Sequence, residues 1–129
     1  MKEKVQASTV PEPAAAYSQG IIAEGRRILF ISGQVPVDAN GDLVGRDDMR
    51  KQARQVFENL QSQLRAAGAD MGDVAKLTIF VTDMSQFSVV SEVRSDYVEP
   101  EYPAASTIEV SSLADPDWLL EIEAYAVLG

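Results

Sequence analysis

Apolar residues recur along this chain with two different periods. Met49, Ala53, Val56, Phe57, Leu60, Leu64 and Ala67 fall at spacings of three and four. That stripe predicts an amphipathic helix. Asp47 and Asp48 stand at its start as cap and dipole partners, and Gly68 ends it in the left-handed region. A second helix is expected from a cap at Asp83 or Ser85 to about Val98. Its inward positions would be Phe87, Val89, Val90, Val93 and Tyr97.

Elsewhere the pattern is that of strands. Val74–Thr82 is β-branched and apolar, and Ser106–Leu113 and Leu119–Val127 read as the last two strands. Near the start, a short strand at about Lys4–Thr9 precedes a loop with Pro11 and Pro13. Ile21–Ala23 and Arg27–Ser32 read as a hairpin about Glu24-Gly25-Arg26. Gln34 to Gly45 is a loop, with a turn at Asn40-Gly41. The order β, β, β, α, β, α, β, β predicts a single α+β domain over residues 1–129. Its two layers are a mixed six-stranded sheet and two helices on one face.

Two strands are apolar on both faces. In Val74–Thr82, Ala75, Leu77, Ile79 and Val81 point one way, and Val74, Thr78 and Phe80 the other, with Lys76. In Leu119–Val127, Leu120, Ile122, Ala124 and Ala126 share a face, opposite Leu119, Tyr125 and Val127. Such strands belong in a sheet covered on both sides. The helices cover one side. Either a second subunit covers the other, or the long N-terminal segment folds over it. In the first case, grooves between subunits become candidate sites.

Composition narrows the chemistry. Eleven Lys and Arg against twenty Asp and Glu give a net charge of −9. That disfavours nucleic-acid binding, which needs a cationic surface, and docking on anionic membranes. There is no cysteine and no histidine. Disulfides, thiolate nucleophiles, imidazole bases and the usual zinc sites are excluded. No apolar run reaches the ~18 residues of a membrane span. Met1 to Pro13 has no apolar core of a secretory signal, so a reduced, cytoplasmic location is expected.

Three local features could carry chemistry. Alternation puts Glu121 and Glu123 on one strand face, either as solvated charges or as carboxylates in a cleft. Ser32-Gly33-Gln34 closes a strand, as a simple exit or as a place where a ligand approaches the backbone. Pro103-Ala104-Ala105-Ser106-Thr107 enters a strand, and its N–H groups either serve the sheet or meet a carboxylate or carbonyl. Trp118 reads as packing.

The same segments carry a resemblance. Tyr17-Ser18-Gln19, Ile31-Ser32-Gly33-Gln34-Val35-Pro36-Val37-Asp38, Gln52 with Asn59-Leu60, and Ala66-Ala67-Gly68-Ala69 resemble the RidA (YjgF) family. So do Asp73 to Val81, Pro103-Ala104 and Glu121-Ile122-Glu123-Ala124. The resemblance runs in order over nearly the whole chain. It implies a chorismate-mutase-like fold and a homotrimer with three intersubunit clefts around a central barrel of sheets. It also implies hydrolysis of reactive imines and enamines to ketoacids and ammonia, with no metal and no cofactor. Glu121 matches the glutamate that positions water, Tyr17 a tyrosine lining the cleft, and Ser32 the serine of the Ser-Gly-Gln segment. Ser91 stands at the family's asparagine. Ala105, Ser106 and Thr107 complete the expected binding set, with Thr107 and the backbone at Ala105 as polar contacts to a small-molecule ligand.

Deaminating members of that family have arginine where this chain has Ala105, and tyrosine where it has Arg94. Loss of a hydrogen bond from a charged group to a carboxylate removes roughly 1.5–3 kcal/mol, about ten- to a hundred-fold in affinity. A cleft with Glu121 and without that arginine would favour neutral or cationic imines. Alternatively Arg94 reaches into the cleft, although a helix arginine is usually a solvated surface charge. A trimer that binds a small metabolite without chemistry is the competing function. Endoribonuclease activity, a label attached to the family, is opposed by the acidic charge and the lack of histidine.

Overall fold

The computed structural model describes residues 1–129. The elements are β1 (Lys2–Val5), β2 (Gly20–Ala23), β3 (Arg27–Gln34), α1 (Met49–Ala66), β4 (Val74–Val81), α2 (Phe87–Ser95), β5 (Ala104–Glu109) and β6 (Leu120–Leu128). Short 3-10 turns at Met71–Asp73 and Met84–Gln86 precede β4 and α2. This is the expected α+β arrangement of six strands and two helices. Hydrogen bonding divides the strands into a sheet of order β3-β6-β4-β5 and a ribbon of β1 with β2. The β4–β5 pair is parallel and the other pairs are antiparallel.

The hairpin expected between Ile21–Ala23 and Arg27–Ser32 is absent: β2 pairs with β1, and β3 pairs with β6. The donors around the turn explain why. Glu24 N–H donates to the Met1 carbonyl, and Arg26 N–H donates to that of Leu128. Gly25 lies flat against Leu128, where a Cβ would collide with the carbonyl. The tight turn is thus a crossing from ribbon to sheet. The first strand also falls earlier than Lys4–Thr9, because Lys2 pairs with Ala23 and its Nζ donates to the Val74 carbonyl at 2.8 Å.

The stripe of α1 faces the sheet as expected. Phe57, Leu60 and Leu64 are fully buried, each contributing about 1.5–3 kcal/mol by leaving water. Asp48 caps the helix by accepting from Lys51 N–H at 3.1 Å, and Gly68 follows its end at φ 75°. Gln52, also buried, donates to the carbonyls of Gly45 and Asp117 and accepts from Leu119 N–H, which ties two loops to α1.

Helix α2 ends at Ser95, short of Val98. Its last turn tightens: Tyr97 N–H donates to Arg94, and the Tyr97 ring stacks on Phe57 at 5.2 Å. Asp83 caps the preceding 3-10 turn rather than α2 itself. Strand β5 stops at Glu109, not Leu113.

In β4, Leu77, Ile79 and Val81 are buried under the helices, as are Leu120, Ile122, Ala124 and Ala126 of β6. Val74 faces inward with them and Ala75 does not. A register shift between Val74 and Lys76 adds a residue and reverses the alternation there. The opposite face is open. Phe30, Ile28, Ile108 and Tyr125 keep between 40% and 69% of their surface in solvent. Phe30 and Tyr125 meet edge to face at 5.3 Å on it. The N-terminal segment does not cover this face.

Candidate functional site

A cavity of about 430 Å³ lies between α2, β5 and the N-terminal segment. The parallel register pairs Leu77 with Ala105 and Ile79 with Thr107. Ala105 and Thr107 therefore point to the helix side and form one wall. Phe87 and Arg94, two helical turns apart on α2, form a second. Tyr17 closes the third. It is held there by its neighbour Ser18, whose N–H donates to the Pro103 carbonyl at 3.0 Å and whose hydroxyl donates to that of Tyr102 at 2.6 Å. Ser18 is buried, with 2% of its surface exposed. The residue pattern did not single it out, beyond its place in Tyr17-Ser18-Gln19.

Arg94 is not a solvated helix charge: it is 2% exposed. Its guanidinium carbon lies 5.7 Å from the Tyr17 ring centre and 5.8 Å from that of Phe87. Its Nη2 donates to Ser91 Oγ at 3.3 Å, and its Nε is buried without a partner. The ion pairs of the chain join other residues, namely Arg46–Asp117, Arg50–Glu92 and Arg54–Asp96. Burial lowers the Arg94 pKa from the ordinary arginine value, and Tyr17 opposes that shift. The group remains a cation at any ordinary pH. Ser91 thus stands behind the guanidinium.

The remaining expected residues lie on the other face. Glu121 pairs with Phe80 and Glu123 with Thr78, so both carboxylates project from the open side of the sheet. Both are half-buried. Ser32 is exposed at an irregularity between Ile31 and Gln34. Beside it Gly33 packs directly on Glu121, and a Cβ there would collide with Oε2 and Cδ of the carboxylate. Ser106 accepts from Lys76 Nζ at 2.9 Å on this side. One chain therefore gathers Tyr17, Ser91, Ala105 and Thr107 around Arg94. It holds Glu121, Ser32 and Ser106 on the opposite surface.

Residues 7–128 match the family model described as Endoribonuclease L-PSP. A RutC family protein of Pyrococcus horikoshii is 40% identical over 126 residues, which cover 98% of each chain. This chain belongs to the Rid family. The rat 2-iminobutanoate/2-iminopropanoate deaminase is 30% identical over 129 residues, covering 100% of this chain and 92% of its own. The crystal structure of the Rid-family protein YyfB from Yersinia pestis matches with a TM-score of 0.91 at 34% identity, over 98% of both chains. The two-layer, chorismate-mutase-like α+β fold is thus that of the Rid family. In this Rid chain the cavity wall after Pro103-Ala104 is Ala105, and the guanidinium beside it comes from α2. No helix is long and apolar enough to cross a membrane.

Proposed function

We propose that this Rid-family chain hydrolyses reactive imines or enamines, without metal or cofactor, in clefts completed between the copies of a homotrimer. The observation that carries the reading is the placement of Glu121. Its carboxylate stands beside Gly33 on the one large face that the chain leaves uncovered and apolar. A second copy seated on that face would remove Phe30, Ile28 and Tyr125 from water. It would also enclose the carboxylate next to a neighbour's cavity. The similarity to the rat deaminase supports imines as the substrate class.

The chemistry follows from a carboxylate beside a water molecule. A protonated imine carbon is electrophilic. Water held by Glu121 adds to that carbon as the carboxylate takes a proton. The proton then passes to nitrogen, the carbon–nitrogen bond breaks, and ketone and ammonia leave. An enamine enters after protonation on carbon. No redox step occurs, so no electron carrier is needed.

A trimer that only binds a metabolite would have the same cleft and no turnover. Cleavage of RNA is opposed by the net charge of −9 and the lack of histidine. Lack of cysteine accords with work in a reduced cytoplasm. The test is ammonia release from imines made in situ by an amino-acid oxidase, in buffer with a chelator. Release well above the spontaneous rate is expected. A rate equal to the spontaneous one across carboxylated and neutral imines would leave the binding module.

A further inference from the structure

We propose that Arg94 is the anion clamp of the cavity and that the ligand it holds is a small monocarboxylate. This deepens the reading above by naming a substrate class for the same site. It reverses the preference for neutral or cationic imines that Ala105 alone suggests.

Arginine is almost never fully buried unless it is paired. Arg94 is 2% exposed, has no carboxylate within ion-pair distance, and keeps Nε without a hydrogen-bond partner. Removing one partner from a buried ion pair leaves a costly unpaired charge, and Arg94 has that character with its cavity side open. The chain has twenty acidic residues, yet none neutralises this group. The missing anion is therefore expected from outside.

The geometry selects its shape. The rings of Tyr17 and Phe87 both lie within cation–π distance of the guanidinium. A planar fork suits a carboxylate, which accepts two parallel hydrogen bonds. Ala105 and Thr107 line the same cavity as Arg94, one with a methyl group and the other with a hydroxyl. Charge selects the valence. One cation in a chain of net charge −9 suits a monoanion better than a phosphate dianion.

The test reads binding without turnover, so it is independent of hydrolysis. Calorimetry uses pyruvate as the probe, pyruvamide as its uncharged twin and inorganic phosphate as a rival anion. The intact chain should bind pyruvate at least about tenfold more tightly than pyruvamide. Arg94→Met should weaken pyruvate about ten- to a hundred-fold and leave pyruvamide unchanged, with Arg94→Lys between. The melting temperature of Arg94→Met should not fall, since a buried unpaired charge is removed. In the unaltered protein, the Arg94 Nε–H resonance should shift with pyruvate and stay put with pyruvamide, a readout that needs no variant. No pyruvate binding, equal binding by Arg94→Met, an unmoved Nε–H resonance, or displacement of pyruvate by less phosphate than pyruvate would each overturn the proposal. Failed hydrolysis with pyruvate still bound would reject the enzyme and keep the clamp.

Discussion

Glu121→Gln should lower kcat for imine hydrolysis by about a hundred- to ten-thousand-fold, the usual contribution of a positioned general base. The amide keeps the shape of the side chain but cannot take a proton from water. Its effect on stability should be small, because Glu121 lies half-buried on the open face and forms no ion pair. A second substitution separates charge from position. Gly33→Ala retains the carboxylate, but the new methyl group occupies the space of Oε2 and Cδ. The Glu121 side chain is the flexible partner and must swing away. That variant should fold, bind pyruvate and lose much of its turnover. Full activity in Gly33→Ala would mean that the location of the carboxylate is immaterial, and Glu121 would then not be the water-positioning group. Steady-state ammonia release with circular dichroism as a folding control checks both.

Phe30→Asp should convert the proposed homotrimer to single chains and reduce turnover to the spontaneous rate. Phe30 keeps 69% of its surface in solvent within one chain, so its replacement takes little from the core. It belongs to the uncovered apolar patch, on the edge strand β3, in edge-to-face contact with Tyr125. An aromatic ring of this kind buries about 150–250 Å² when covered. A carboxylate in its place would be desolvated without a partner on a face that already projects Glu121 and Glu123. Sedimentation velocity should show the dissociation, and far-ultraviolet circular dichroism should be unchanged. An intact, active oligomer would show that the copies meet elsewhere.

The parts of the fold legible in the residue pattern were those governed by local physics. The stripe of α1 and its Asp48 cap depend on spacing and one side-chain acceptor, and both stand as expected. The two-faced strands were legible for the same reason, and the open face of β3, β4 and β6 is their consequence. Pairing was not legible where it depends on distant backbone. Glu24-Gly25-Arg26 has the residues of a hairpin turn, but its donors go to Met1 and Leu128. The irregularity at Ala75 is equally silent in the pattern.

Arg94 shows the limit at the site. A helix arginine reads as a solvated charge, and nothing in composition contradicts that. Its position could have signalled burial: it follows Val93 directly and stands one turn after Val90, both fully buried. The alanine at 105 is the complementary clue, because the two residues line one cavity. Alternation placed Glu121 and Glu123 on one face correctly. It could not say that this face is the opposite one from Ala105 and Thr107, which depends on strand register.

The proposal that the pocket is shared between copies is tested most directly by subunit exchange. Glu121→Gln chains keep Arg94, and Arg94→Met chains keep Glu121, so every mutant chain lacks one half of the site. Each variant alone should be inactive at low concentrations of a carboxylated imine. After equal mixing and reassembly, roughly one cleft in four should join an intact cavity to an intact carboxylate across an interface. Activity should then rise to about a quarter of that of the unaltered protein. Activity that stays at the sum of the two inactive parents, with exchange verified by mass, would contradict a site built from two copies.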